Sequence, residues 1–156
     1  MNIKSKIKNW KLTELIDKIE IVAEDSIEER EILIDKLSLP RPKSIGLNRS
    51  ETNINWNAIP KYYKFFFDRN GYEKIIEQWL RNSEISQSKS LIITYGWKEP
   101  MIKVATELFF EDWEGFIRST LWETIIFSDD YKLIMEVSRD YYLHSNFEIM
   151  PNSKVF

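Results

Sequence analysis

The sequence contains no cysteine. That excludes disulfides, thiolate nucleophiles and the sulfur ligands of zinc fingers and iron–sulfur clusters. Glycine is scarce, with four residues in 156, so few places suit a phosphate-cradling loop or a close backbone approach to a cofactor. Nucleotide binding is disfavoured and no cofactor is expected. Histidine occurs once, at His144, so one chain cannot form a two-histidine metal site or a histidine dyad. No run approaches the roughly 20 apolar residues that span a bilayer. The N-terminal lysines, Lys4, Lys6, Lys8 and Lys11, lead into a charged amphipathic stretch and not into an apolar signal core. The expectation is a cytoplasmic protein without a membrane partner.

What is present suits a packed interior. Hydrophobic residues make up 43% and aromatic residues 14% of the chain, and 156 residues suffice for a core without staples. One domain over residues 1–156 is expected, helical over about 10–82 and sheet-forming over about 90–150. The net charge of −3 is unevenly spread. Residues 1–89 hold 16 Lys or Arg against 14 Asp or Glu, whereas residues 90–156 hold 6 against 11. The acidity belongs to the C-terminal part.

Leu12, Leu15, Ile16, Ile19, Val22 and Ala23 recur at helical spacing and predict a helix to about Glu24. Ser26 and Glu29 have the form of a capping box for a second helix, which ends before Pro40. Pro40, Pro42, Gly46 and the polar run Asn48 to Asn55 form a long connection. The aromatic group Tyr62, Tyr63, Phe65, Phe66 and Phe67 lacks a period, and Asn70-Gly71 marks a turn before a third helix carrying Ile75, Ile76, Trp79 and Leu80. Leu91 to Trp97 and Met101 to Val104 read as a hairpin about Lys98-Glu99-Pro100. Thr106 caps a helix to about Ser119, with Phe109, Trp113, Phe116 and Ile117 on one face. Thr124 to Phe127 and Lys132 to Ser138 form a second hairpin, in which Leu133, Met135 and Val137 alternate against Ile134, Glu136 and Ser138; Phe147 to Met150 is the last strand. The class is α+β: N-terminal helices, then a mostly antiparallel ββαβββ sheet with one packed helix, and no internal repeat.

Catalytic signatures are absent from this pattern. His144 beside Ser145 has no glycine-flanked elbow and reads as a structural or surface residue. Asp129 and Asp130 have the form of an acid pair or cation ligand, but turn chemistry alone explains them. Glu107, Glu111, Asp112 and Glu114 lack calcium-loop spacing and read as a solvated or partner-facing helix surface, so no metal is expected. Trp97, Trp113 and Trp122 are possible interface anchors, with Trp113 in an apolar stripe and therefore core. Trp56, in the polar loop, is the better contact residue, with simple packing as the alternative. Lysines interleaved with acids in an acidic chain disfavour nucleic acid as a partner.

The segment Met101 to Ile117 (MIKVATELFFEDWEGFI), then Ile125-Ile126-Phe127-Ser128 with its acidic turn, then Tyr142 to Ile149 (YLHSNFEI) resembles small uncharacterised bacterial proteins. Some of these are similar to toxin-immunity proteins of the broad group named for a yeast cell-wall regulator, the SMI1/KNR4-like family. The resemblance covers about residues 101–150. It implies a non-catalytic immunity or inhibitor protein that occludes a basic toxin domain. The residues themselves add that seven acids between Glu107 and Asp130 face one base, Arg118, a field that steers a basic partner. The expected partner-binding residues are Glu111, Asp112, Glu114, Asp129 and Asp130, with Trp56 as the aromatic. The alternative is a small-ligand module lined by Tyr95, Trp97 and His144. An enzyme working through paired carboxylates is a third reading.

Overall fold

The apolar runs of the C-terminal half are too continuous for strands with one wet face, and in the computed structural model both of their faces are covered. The structure describes residue 7 and residues 9–42, 52–96, 99–118 and 124–153. Its elements are α1 (Trp10–Glu14), β1 (Glu20–Ala23), α2 (Ser26–Lys36), β2 (Tyr63–Phe66), α3 (Glu73–Asn82), β3 (Ser90–Thr94), β4 (Met101–Ala105), α4 (Thr106–Glu111), α5 (Trp113–Arg118), β5 (Thr124–Ser128), β6 (Ile134–Val137) and β7 (Tyr142–Ser145). One seven-stranded sheet runs in the order β1-β4-β3-β5-β6-β7-β2, with every neighbouring pair antiparallel. The fold is α+β.

Side chains alternate across the sheet. Leu91, Ile93, Ile126, Met135, Val137 and Leu143 pack on one face with Leu12, Ile76, Leu80, Phe109 and Phe116 from α1, α3, α4 and α5. Ile92, Ile125, Phe127 and Ile134 pack on the other with Leu33 and Ile34 of α2 and with Ile54, Trp56 and Tyr62 of the connection. Burying each such side chain contributes roughly 1.5–3 kcal/mol. Among the described residues no helix is long and apolar enough to cross a membrane.

Several local expectations are corrected. The helix expected over residues 12–24 is short α1 followed by strand β1. Asn9 starts α1 by accepting from the amides of Lys11 and Leu12. Glu20 and Ile21 then pair with Lys103 and Ile102 on β4, and this sheet edge outcompetes a helical period that the same residues also satisfy. At α2 the N-cap is Asp25, which accepts from Ile27 and Glu28 at 3.0 and 3.1 Å. Ser26 instead accepts the Tyr95 amide at 2.7 Å and ties α2 to the sheet. Thr106 is likewise not a cap: its hydroxyl donates to the Ser88 carbonyl. The single helix expected after it breaks at Asp112 into α4 and α5, where the Asp112 carboxylate accepts the Gly115 amide and pairs with buried Lys11. The aromatic group becomes edge strand β2 against β7. Among the described residues the last strand is Tyr142–Ser145; Phe147 and Ile149, of the strand expected over 147–150, are buried in irregular chain beyond it.

The turns flanking β6 share a pattern. Ser128-Asp129-Asp130-Tyr131 and Ser138-Arg139-Asp140-Tyr141 each close with the fourth amide donating to the first carbonyl, at 2.9 and 3.1 Å. In each, the serine hydroxyl donates to the aspartate two residues on, and the tyrosine takes a positive φ of 62° or 66°.

Replacing Asp25 by alanine is expected to lower stability by about 1 kcal/mol through loss of the α2 cap. Urea denaturation at neutral pH checks the value.

Candidate functional site

On the α2 face of the sheet, the pleat brings three charged or polar side chains into one row. Glu136 of β6 lies directly opposite His144 of β7, which lies opposite Lys64 of β2. The segment 52–59, which includes a 3₁₀ turn at Trp56–Ala58, crosses this row as a strap. Glu136 is 0% exposed beneath it. An isolated carboxylate would be costly there. Four donors satisfy it: the Asn53 amide at 2.7 Å and side-chain amide at 3.1 Å on Oε2, and the Ile54 amide at 3.2 Å and Trp56 indole at 2.9 Å on Oε1. Burial pushes the Glu136 carboxyl above the usual carboxylate range, while these four bonds pull it back.

His144 forms the centre of a second network. Its Nδ1 lies 2.8 Å from the Tyr62 hydroxyl and its Nε2 lies 2.9 Å from the Ser138 hydroxyl. Ser138 donates to the Asp140 carboxylate. With the serine proton committed there, Ser138 Oγ accepts from Nε2–H, and a neutral ring then leaves Nδ1 to accept from Tyr62. This tautomer follows from the network. Burial lowers the His144 pKa to about 4, with Asp140 opposing and Lys64 assisting. Burial, then the charges of Asp140 and Glu136, push Tyr62 up to about 12. Trp56, Tyr62 and His144 stack with ring centroids 5.6 to 6.0 Å apart.

A serine hydroxyl 2.9 Å from a histidine nitrogen has nucleophile–base spacing, but here the hydrogen runs from ring to serine and on to Asp140. Ser138 is also fully enclosed. In this arrangement the network lies beneath the strap, against the Trp56 ring, and presents no activated oxygen.

The residues expected to bind a partner differ in how far the fold engages them. Trp56 is 3% exposed, which corrects its reading as a contact residue: its ring packs on Tyr62 and its N–H is spent on Glu136. Asp112 is tied to Lys11 and Gly115, and Glu114 to Arg118 at 2.8 Å. Arg118 in turn holds Asp68. Asp130 accepts from Ser128 and the Lys132 amide, which lower its pKa. Glu111 and Asp129 are exposed. Arg81 clamps Glu107 through both carboxylate oxygens, at 2.7 and 2.8 Å, and holds that carboxyl below its usual range. Among the described residues no group of three His, Asp or Glu side chains gathers as metal ligands.

Tyr95 and His144, expected to line one pocket with Trp97, lie on opposite faces of the sheet. Tyr95 is buried on the α1/α3 face and donates its hydroxyl to the Phe116 carbonyl, whereas His144 stacks on the opposite face. Trp97, Trp122 and Glu123 lie outside the described residues, while Trp113 is core, donating to the Glu73 carbonyl. Among known proteins, no family model and no curated sequence matches the chain.

Glu136→Ala is expected to cost about 3 kcal/mol or more, because it strands four donors, those of Ile54 and Trp56 fully buried and those of Asn53 half-buried; Trp56→Phe, removing one donor to a carboxylate, is expected to cost about 1.5–3 kcal/mol. Chemical denaturation of each variant checks both. For His144 the folded pKa of about 4 lies below the ordinary 6.5. The stability it contributes is therefore complete above the unfolded value and is lost as pH falls from 6.5 through about 4. An NMR titration is expected to hold the imidazole at its neutral shift down to about pH 5.

Proposed function

We propose that the chain is a non-catalytic binding protein of the immunity or inhibitor type, which covers a basic surface on a toxin domain. The observation that carries this reading is the attachment at Ser88. Its carbonyl accepts the Thr106 hydroxyl at the start of α4, and its hydroxyl accepts the Asp129 amide at 3.0 Å. The Asp129-Asp130 turn and the acids of α4 are thereby fastened to one end of the sheet. Glu107 and Glu111, four residues apart on α4, extend the acidic line along one exposed helix face.

Charge so placed accelerates encounter with a cationic partner and needs no reactive group. Arg81 on Glu107 and the neighbouring Lys89 and Lys132 temper it, so Glu111 and Asp129 are the residues free to engage a lysine or arginine. Asp112 and Glu114 serve the α1–α5 and α5 contacts instead. The interior supports a rigid docking scaffold, since its buried carboxylate and imidazole are matched internally and the partner surface starts preorganised.

The double reversal Glu111→Lys with Asp129→Lys is expected to leave the thermal midpoint nearly unchanged. It is expected to slow association with a basic toxin partner at low ionic strength by about tenfold or more. Surface plasmon resonance against a basic toxin domain captured from the native host with this chain as bait, at two salt concentrations, tests it. An unchanged on-rate at low salt contradicts the reading.

A further inference from the structure

We propose that the strap 52–59 is an acid-released lid: protonation of His144 expels Trp56 from its ring stack and uncovers the row Glu136, His144 and Tyr62. The strap is joined to the sheet by Ile54 and Trp56 in the apolar cluster and by a set of polar contacts. Its Asn53, Ile54 and Trp56 donate to Glu136, the Asn55 amide donates to the Pro40 carbonyl at 2.8 Å, and Trp56 stacks on His144 at 6.0 Å and on Tyr62 at 5.6 Å. Closing the strap removes His144 from water, leaving it 7% exposed, in a tautomer that uses both nitrogens.

A second proton disturbs that arrangement. Nδ1 becomes a donor aimed at the Tyr62 hydroxyl, which must turn its own hydrogen away, and the cation is held under Trp56 without solvent. The charged groups that face the ring decide the balance. From β6, Glu136 sits directly opposite; from β2, Lys64 does. The β6–β7 turn carries Asp140, reached through Ser138, together with exposed Arg139, and Tyr142 lies on the same strand with its ring 6.3 Å away. The strap itself carries no titratable group between Thr52 and Ile59. Lys64 opposes the imidazolium, whereas Glu136 and Asp140 favour it. The two carboxylates are already engaged, Glu136 by four strap donors and Asp140 by Ser138, and solvation in the open strap outweighs them. Glu136 acts in the opposite sense on its own account, since burial favours its neutral form in the closed state. A histidine variant therefore separates the two groups.

The test is amide and indole hydrogen exchange followed by NMR on the full chain, expressed as protection factors so that intrinsic exchange is removed. The indole Nε1–H of Trp56 and the Ile54 amide report the strap, and the Ile126 amide, in central strand β5, reports global opening. Between pH 7 and pH 5 the strap signals are expected to lose protection by about 10- to 20-fold, the ratio set by a closed-state pKa of about 4 against 6.5. Ile126 is expected to change less. In His144→Gln, or in His144→Phe should the first variant fold poorly, strap protection is expected to stay level or rise over the same range. Strap protection that is flat in the unsubstituted protein, that falls equally in the variants, or that falls only in step with Ile126 overturns the proposal.

Discussion

A carboxylate denied water must find its donors inside the protein, and this one constraint organises half of the molecule. Glu136 sits in a strand whose other residues, Ile134, Met135 and Val137, are all apolar, at zero exposure. It is tolerable only because Asn53, Ile54 and Trp56 turn four N–H groups toward it. Those groups lie some eighty residues earlier in the chain, so satisfying the charge also fixes a segment that has no regular structure beyond one 3₁₀ turn. With the strap fixed, Trp56 covers Tyr62 and His144, and the second face of the sheet becomes an interior.

The same economy appears in the twin turns. Each Ser-X-Asp-Tyr corner uses its serine to hold its aspartate and its tyrosine to take the left-handed conformation. At Ser128 the hydroxyl oxygen then accepts the Leu133 amide at 3.0 Å and completes a local turn. At Ser138 it accepts from His144 instead, so a corner of the hairpin becomes one end of a buried polar chain from Tyr62 to the surface at Asp140. The proposed docking line and the proposed switch thus lie in separate regions. The acidic line of α4 and the β5–β6 turn is exposed and solvated, while the titratable groups able to respond to pH are under the strap.

Much of the architecture was legible because local chemistry and tertiary demand agreed. The amphipathic spacing of Ile76 and Leu80 and the β-branched runs at Ile92 and Ile125 led to elements that the fold keeps. Reading failed where long-range pairing decided the outcome. Glu20 to Ala23 became an edge strand because β4 offered an unpaired edge, and Tyr63 to Phe66 did so because β7 offered the other. The site was hidden for a related reason. Alternation along Leu133 to Ser138 resembles a strand with a wet face, so Glu136 reads as solvated. The signals that contradict this are Ile134 on that supposedly wet face and the donor-rich run Asn53, Asn55, Trp56 and Asn57, which has more hydrogen-bonding capacity than a surface loop requires. The charge pattern is ambiguous in the same way: Asp112 and Glu114 have the sequence form of a solvated helix face, and only folding brings Lys11 and Arg118 to them.

The central claim is that Glu136 joins strap to sheet, with Trp56 as a direct donor and not merely a neighbour. A double-mutant cycle between Glu136→Ala and Trp56→Phe, read by urea denaturation at pH 7, addresses that bond with least interference from the rest of the fold. A coupling of about 1–3 kcal/mol is predicted, because the indole N–H has no purpose once the carboxylate is gone. Strictly additive costs would contradict the account and reduce Glu136 and Trp56 to independent packing residues.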